Sequence, residues 1–261
     1  MLYAMITLKC TSFFIGILMS HIIPKSLCEI PQIANPPPSD PKDIPLYGVE
    51  GLPLETDVRQ HITPDCFLEA SLGAIVRINS RTITDTLQDN GDGTVDVLYY
   101  DLNSTQVSKT AQKKDFKDKL LTQDSMSCWV AVFQDTYQQL LTDQSSPDNV
   151  YNDYGGAASS FLEAIYGRSA SLGNCDSIFR VGVNAGSNPT TLVTNDLEGP
   201  LVTNHAYTIH VANVSHITLR NPWGHTIAGG EDTEDLGNGT FRIAIASAQL
   251  QCAQLQYLKL S

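Results

Sequence analysis

Basic residues are few in this sequence. Its 261 residues include 16 Lys and Arg against 28 Asp and Glu, which gives a formal net charge of -12, and the acidic residues are spread along the chain. Nucleic acids and anionic membrane surfaces bind proteins through an excess of Lys and Arg. We therefore expect no nucleic-acid partner. A soluble acidic surface explains the charge, and a cationic substrate or a bound cation such as calcium is the alternative.

Long apolar runs are also lacking. The run at residues 11–23 is shorter than the roughly 20 apolar residues that a membrane-spanning helix needs. It lies in a segment, residues 1–28, that contains two lysines and no acid and ends with a tolerable cleavage site at Cys28. This pattern predicts a signal peptide and a secreted protein, with an uncleaved membrane anchor as the alternative. Glycosylation sequons at Asn103, Asn213 and Asn238 agree with a secreted glycoprotein.

One cysteine lies at the predicted start of a helix. Thr63 is a favourable N-cap, Pro64 suits the first helical position, and Asp65 complements the positive end of the helix dipole. Cys66 then falls in the first turn, ahead of an apolar run that predicts a buried helix to about residue 78. The free N–H groups and the dipole favour a thiolate there. Cys66 is therefore a candidate nucleophile.

The other cysteines leave room for one disulfide. No group of Cys and His has the spacing of zinc ligands. Of the six cysteines, two lie in the predicted signal peptide and Cys66 is reserved as the nucleophile, which leaves three. Cys128 precedes Trp129 in a helical pattern, so we expect it in the core. We expect Cys175 and Cys252 to be bridged.

The period of the apolar residues changes along the chain. Helices are predicted at 63–78, 127–141 and 157–166, the last closed by Gly167, and strands at 94–101, 190–194, 205–211, 216–220 and 240–245. The acidic turn at 89–93 indicates a hairpin, because its acids lack the spacing of a calcium loop.

This order of elements predicts an α+β fold. We expect a proline-rich linker or short pro-segment at 29–54, a helical lobe at 55–175 and a β lobe at 176–261. Ligand sites favour the cleft between two such lobes.

A base for Cys66 lies in the second half. His205 opens one predicted strand, Asn221 follows the next, and the turn between them indicates an antiparallel pair. Residues at the open end of such a pair come within side-chain reach. The amide oxygen of Asn221 would then hold the imidazole of His205 in one tautomer, as in Cys-His-Asn triads. The other histidines have no comparable partner, and His61 is interpreted as a loop residue.

These residues match the pattern of a known family. The pieces are Gln60 six residues before Cys66, Trp129-Val130-Ala131, Gly155-Gly156, Tyr166-Gly167, Asn204-His205-Ala206-Tyr207 and Leu219-Arg220-Asn221-Pro222-Trp223-Gly224. In this order, over about residues 55–250, they resemble the catalytic core of the calpains, which are papain-like cysteine endopeptidases. The His-Ala-Tyr and Arg-Asn-Pro-Trp-Gly pieces are the most specific.

The resemblance implies a papain-like fold of two lobes, a helical lobe followed by an antiparallel β lobe, with the active-site cleft between them. It implies that Cys66 attacks the peptide carbonyl and that His205 forms an ion pair with it and protonates the leaving amine. Asn221 would orient His205. Gln60 would donate to the oxyanion, and Trp223 would shield the His–Asn contact from water.

The sequence departs from the family pattern beside the nucleophile and the base. The family has Gly-Asp-Cys-Trp where this chain has Pro64-Asp65-Cys66-Phe67, and Gly-His where it has Asn204-His205. Pro64 restricts φ, Phe67 lacks an indole N–H, and Asn204 tolerates an unusual φ. We expect these changes to affect substrate geometry more than the chemistry.

The motifs together predict a secreted, monomeric calpain-like cysteine endopeptidase that acts on proteins or peptides. A calpain-like binding module without turnover is one alternative. Another thiol acyl-transfer enzyme, such as a transglutaminase or amidase, is a second, although those usually orient the histidine with an acid rather than with Asn221. No cofactor is required for the chemistry. No EF-hand pattern follows the core, and the acidic loop at 231–235 is either a calcium site or a solvated loop.

Overall fold

The apolar run after Cys66 forms a long helix. In a computed structural model of the chain, this helix, α1, extends over Cys66–Thr86. Asn79 departs from helical geometry with φ -158° and ψ 97°, which puts a kink in the helix at this residue. The predicted end at residue 78 is wrong, because a further helical segment buries Ile83 in the core. The structure describes residues 40–48, 50–60, 64–116, 127–144, 156–226 and 233–260.

The first turn of α1 is capped by a backbone carbonyl. The N–H groups of Leu68 and Glu69 donate to the carbonyl oxygen of Asp65 at 2.9 and 3.1 Å. Asp65 is thus the N-cap residue, and the prediction that Pro64 takes the first helical position is wrong. The predicted N-cap Thr63 lies outside the described residues.

The other elements follow in chain order. The further helices are α2 (Trp129–Asp143), α3 (Ala158–Tyr166), α4 (Ile178–Val183) and α5 (Ile245–Gln251). The strands are β1 (Leu87–Asp89), β2 (Thr94–Tyr100), β3 (Gln106–Gln112), β4 (Ser171–Gly173), β5 (Thr190–Thr194), β6 (Ala206–Ala212), β7 (His216–Arg220), β8 (Thr233–Gly237), β9 (Thr240–Ala244) and β10 (Cys252–Tyr257). The described residues all fall within one unit of the chain, 36–261.

These strands form two antiparallel sheets. The smaller has the order β1-β2-β3, and the larger has the order β4-β10-β5-β6-β7-β9-β8. Consecutive strands β5, β6 and β7 are neighbours, whereas β10 returns from the end of the chain to lie between β4 and β5. Helices and antiparallel sheets occur side by side, so the predicted α+β class is confirmed.

Two groups of buried apolar side chains form the core. The first joins α1, α2 and α3 to the smaller sheet, and Phe161 packs against Phe133 and Tyr137 with ring centroids 5.9 and 5.0 Å apart. The second group lies on the larger sheet beneath α4 and α5 and contains Tyr207 and Phe241. In each group the apolar residues have the helical spacing or the alternation expected of the helices and strands that carry them.

Most predicted elements are present, with small differences at their ends. β5 and β7 have the predicted bounds, and Gly167 ends α3 in the left-handed conformation with φ 64°. β9 stops at Ala244 because α5 begins at the next residue, which had been predicted as strand. β3 was not predicted, because its sequence is polar and only Ala111 is buried.

The predicted hairpin at 89–93 is confirmed. The carboxylate of Asp92 accepts hydrogen bonds from the backbone N–H and the hydroxyl of Thr94 at 2.9 and 2.6 Å. Asp89 accepts from the N–H of Gly91 at 3.1 Å and pairs with Lys113 at 2.6 Å. These acids therefore hold the turn between β1 and β2.

Part of the predicted linker packs against the folded chain. The N–H groups of Cys128 and Trp129 donate to the carbonyl oxygens of Pro45 and Leu46 at 3.2 and 3.1 Å. Ile44 is also buried, at 1% exposure. The carbonyl groups of this segment thus accept hydrogen bonds from N–H groups at the start of α2, which have no partner within the helix.

Some predictions concern residues outside the described part of the chain. These are the signal peptide at 1–28, the linker up to residue 39, the loop residue His61 and the start of the acidic loop at 231–235. Within the described residues, no helix combines the length and the apolar character that crossing a membrane requires.

The predicted disulfide is present. Cys175 and Cys252 are bridged with Cα atoms 5.7 Å apart, and the bridge ties the start of β10 to the turn before α4. Cys128 is a free, fully buried thiol, as predicted for a core cysteine.

Replacing Cys175 and Cys252 together by Ala is expected to destabilise the fold. The bridge closes a loop of 77 residues, and the chain-entropy relation for a loop of this length gives about 4 kcal/mol. Urea unfolding with and without reductant measures the loss. The double variant should no longer respond to reductant, and equal stability of the oxidised and reduced wild type would contradict the prediction.

Candidate active site

Cys66 lies where the sequence predicts, in the first turn of α1. It is the first helical residue, and its side chain is partly exposed. The sulfur accepts hydrogen bonds from the backbone N–H groups of Phe67 and Ala206. Ala206 is the first residue of β6 and follows His205 directly. The fold therefore places the thiol of α1 against the backbone beside His205.

The thiol is neutral in this environment. Burial raises the pKa of Cys66 to about 11, and the charges of Asp65 and Glu69 raise it further, while the two backbone N–H groups lower it. The N–H groups favour the thiolate, as the sequence predicts, but the loss of hydration that burial brings outweighs them.

His205 is held rigidly at the entrance to β6. Its backbone N–H donates to the hydroxyl oxygen of Thr194 at 2.9 Å, and its carbonyl accepts from the N–H of Thr194 at 2.9 Å. The preceding Asn204 has φ 49°, in the left-handed region that Asn tolerates. Asn204 therefore takes a backbone conformation that glycine adopts readily.

The ring of His205 is oriented by Asn221. Nε2 of His205 and Oδ1 of Asn221 are 3.0 Å apart, as predicted from the pairing of β6 and β7. The same Oδ1 accepts the backbone N–H of Trp223 at 3.0 Å, which identifies this atom as the acceptor. Nε2 must then carry the hydrogen, so Nδ1 retains a lone pair and is the basic atom of the ring.

Aromatic rings enclose this pair. The His205 ring lies 4.6 Å from the ring of Trp223 and 4.9 Å, edge to face, from that of Tyr207. Only 4% of His205 is exposed. Burial lowers the pKa of His205 to about 4, against the opposing effect of the hydrogen bond to Asn221. In the described part of the chain no hydrogen bond joins this ring to Cys66.

Gln60 approaches the site through its backbone. Its N–H donates to the carbonyl of Pro222 at 2.8 Å, so the segment before α1 is fixed to the loop that carries Asn221. Gly239 supports the same loop by accepting the N–H of Asn221 at 2.9 Å. A Cβ atom on Gly239 would lie 2.8 Å from the carbonyl oxygen of Asn221, and φ is +76°, so this position requires glycine.

The two halves of the site meet where α1 packs on β6. The hydroxyl of Thr208 donates to the carbonyl of Ala70 at 2.7 Å in a buried contact. A Cβ atom on Gly73 would lie 2.8 Å from the same hydroxyl oxygen. The backbone of α1 therefore lies directly on the strand that begins after His205.

Sequence reasoning missed several residues that hold the site. Thr194 and Thr208 fix His205 and α1, and their polar side chains in β-rich stretches gave no separate signal. A second missed feature is a pair of buried acids, Asp65 and Glu69, at 1% and 0% exposure. A signal for Glu69 was available, because it is an acid inside the apolar run of α1.

The described residues contain no group of three or more His, Cys, Asp or Glu that is arranged to hold a metal ion. The first residues of the acidic loop at 231–235 are outside that part of the chain.

Comparison with known proteins gives no family for this chain. No protein-family model matches it, and no curated protein matches it in sequence. The function of the site must therefore be argued from its own residues and geometry.

Burial of neutral His205 predicts a loss of stability in acid. The unfolded side chain binds its proton near pH 6.5 and the folded one near pH 4, so the unfolded state holds more protons between these values. The free energy of unfolding therefore has its full value above about pH 6.5 and falls by about 3 kcal/mol as the pH drops to 4. Urea unfolding across this range measures it.

The variant His205→Gln should flatten this part of the pH dependence. His216→Gln, at an exposed position on β7, is the matched control and should retain the wild-type slope. Equal slopes for wild type and His205→Gln would show that His205 is not held neutral.

Proposed function

We propose that this protein is a calpain-like cysteine endopeptidase that hydrolyses peptide bonds through Cys66, His205 and Asn221. The observation that carries the proposal is the 3.0 Å bond between His205 and Asn221, beside a thiol that accepts the N–H of Ala206. Three residues from separate parts of the chain thus supply the thiol, the base and the orienting amide that a Cys-His-Asn triad requires. The backbone N–H of Cys66, the first residue of α1, lies at the same place and has no acceptor within the helix.

The fold supports the papain-like part of the proposal. A helix that begins with the nucleophile packs on an antiparallel sheet, and the base precedes a strand of that sheet. The core also divides into a mainly helical group and a sheet group. A papain-like enzyme of two lobes would place its substrate where these groups adjoin, over Cys66 and His205.

The first chemical step forms a thioester. The sulfur of Cys66 attacks the peptide carbonyl carbon while Nδ1 of His205 takes the thiol proton, and the imidazolium then gives that proton to the leaving amine. Water, deprotonated by His205, attacks the thioester and releases the acid product and the thiol. Asn221 keeps Nε2–H pointed away from the sulfur throughout.

Burial explains why the resting pair is neutral and can still react. A lone thiolate or a lone imidazolium is costly in this site, as the pKa values of about 11 and about 4 indicate. Proton transfer between Cys66 and His205 creates both charges together, and their mutual attraction offsets the desolvation of each. Substrate binding that brings Nδ1 to the sulfur would therefore complete the catalytic pair.

The developing oxyanion has two proposed donors. One is the backbone N–H of Cys66, which as the first helical residue has no acceptor within α1. The other is the side chain of Gln60, whose backbone is bonded to Pro222. Trp223 covers the His–Asn contact, which strengthens it by excluding water.

We propose that the enzyme is secreted. The disulfide between Cys175 and Cys252 agrees with an oxidising compartment, and so with secretion. We propose protein or peptide substrates, a monomer, and chemistry carried by side chains without a required cofactor. A calcium effect is left to the experiment below.

The test is covalent labelling with an epoxide inhibitor of papain-like enzymes, located by peptide mapping. We expect an adduct on Cys66 and hydrolysis of a peptide substrate by the same preparation. His205→Ala should slow labelling about 100-fold or more, because the base that generates the thiolate is lost. Asn221→Ala should slow it less, because the ring remains but is no longer held.

Two controls separate the site from general reactivity. Cys128 is the other free thiol of the described chain and is fully buried, so it should not be labelled in the folded protein. His216→Ala should leave labelling unchanged. Parallel reactions with calcium and with a chelator test the metal. Absence of a Cys66 adduct under both conditions would rule out the enzyme and favour a binding module.

A further inference from the structure

Two carboxyl groups are buried beside Cys66. Asp65 is the N-cap of α1 and Glu69 lies one turn further, on the same face of the helix. Their exposures are 1% and 0%. Acidic side chains are rarely buried unless partners compensate for lost hydration. The catalytic chemistry proposed above uses neither group, so their presence needs another explanation.

A single amide group joins the two acids. Nε2 of Gln134, on α2, donates to Oδ2 of Asp65 at 2.7 Å and to Oε1 of Glu69 at 2.8 Å. An amide NH₂ has two hydrogens, and both are used here. We name this arrangement the carboxyl bridge. It connects the first turn of the nucleophile helix to the helix packed beside it.

Burial and the neighbouring carboxylate favour a protonated Glu69. Burial raises the pKa of Glu69 well above its usual range, and the charge of Asp65 raises it further, whereas Arg220 and the bond from Gln134 lower it. Oε2 of Glu69 has no hydrogen-bond partner among the described residues, which also favours the neutral acid.

The groups around the bridge lie on α1, α2, β7 and the segment before α1. Arg220 of β7 is buried and faces Glu69, while its Nη2 donates to the carbonyl of Val58 at 2.8 Å. Arg220 also interacts with Glu55 and Asp57, which precede α1, so its positive charge is shared among several acids. α2 contributes the neutral Gln134. On α1 itself, the thiol of Cys66 is the nearest group that gains a charge in the reaction.

We propose that the carboxyl bridge is a positioning device for Cys66, with Gln134 and Glu69 as positioning residues that fix the first turn of α1 and set the charge beside the sulfur. The inference deepens the proposed function, since it rests on Cys66 being the nucleophile. Any negative charge on Glu69 opposes the thiolate, because that charge raises the pKa of Cys66. A neutral Glu69 removes this obstacle while its hydrogen bond keeps the turn in place.

The bridge has two separable effects. Loss of the Gln134 amide leaves both buried carboxyl groups without their shared donor, so the turn that carries Cys66 should move away from α2. Replacing Glu69 by Gln retains an oxygen that can accept from Gln134, yet it removes a group that ionises. The first change tests geometry, and the second tests charge.

The experiment measures alkylation of Cys66 by iodoacetamide, mapped by peptide, from pH 5 to pH 10. As the pH rises, Glu69 ionises in the wild type and its charge opposes the thiolate, whereas E69Q has no such charge. The alkylation rate of E69Q divided by that of the wild type should therefore rise about tenfold with pH, equivalent to one pKa unit at Cys66. A purely structural role for Glu69 would leave that ratio independent of pH.

Gln134→Leu should lower the alkylation rate at least tenfold at every pH. Gln138→Leu is the matched control on the exposed face of the same helix and should react as the wild type does. Thermal unfolding of each variant shows whether it is folded, and if Gln134→Leu does not fold, the E69Q ratio alone decides.

Two results would overturn the proposed role of the carboxyl bridge. One is a ratio of E69Q to wild-type alkylation rates that does not change with pH, and the other is a folded Gln134→Leu variant that reacts at the wild-type rate. Failure of the proposed function has a different signature. In that case wild-type Cys66 reacts no faster than Cys66 in His205→Ala, whatever the bridge variants do.

Discussion

The candidate site depends on the close packing of α1 against β6. The proposed nucleophile is on the helix and the proposed base precedes the strand, so this contact governs their separation. Gly73 permits the approach and the Thr208 hydroxyl holds it through the carbonyl of Ala70. A side chain larger than hydrogen at Gly73 would push the helix from the strand and carry Cys66 away from Ala206.

This packing also determines the electrostatics of the site. It buries most of Cys66 and nearly all of His205, which moves their pKa values in opposite directions and favours the neutral form of both. In the proposed reaction the two groups become charged only together, and fixed dipoles act strongly in such a buried setting.

The sequence predicted those parts of the fold and site that depend on local pattern. The bounds of β5 and β7 were predicted correctly because both segments are rich in β-branched residues and have turns at both ends. The predicted hairpin of β6 and β7 also placed His205 beside Asn221. What could not be predicted depends on tertiary contacts. β3 is polar and is a strand because β2 pairs with it, and Cys66 is a neutral thiol because β6 covers it.

The carboxyl bridge and the loop at Asn221 restrain the site from two directions. Gln134 ties the start of α1 to α2, while the N–H of Gln60 ties the segment before α1 to Pro222. The side chain of Asn221 and the proposed oxyanion donor Gln60 thus lie on two segments that are hydrogen-bonded to each other. Movement of the loop would displace both groups together, whereas Cys66 would stay in place because the carboxyl bridge holds it separately. Since the nucleophile is fixed and the loop is joined to β9 through Gly239, any adjustment to substrate should arise from the sheet side of the site.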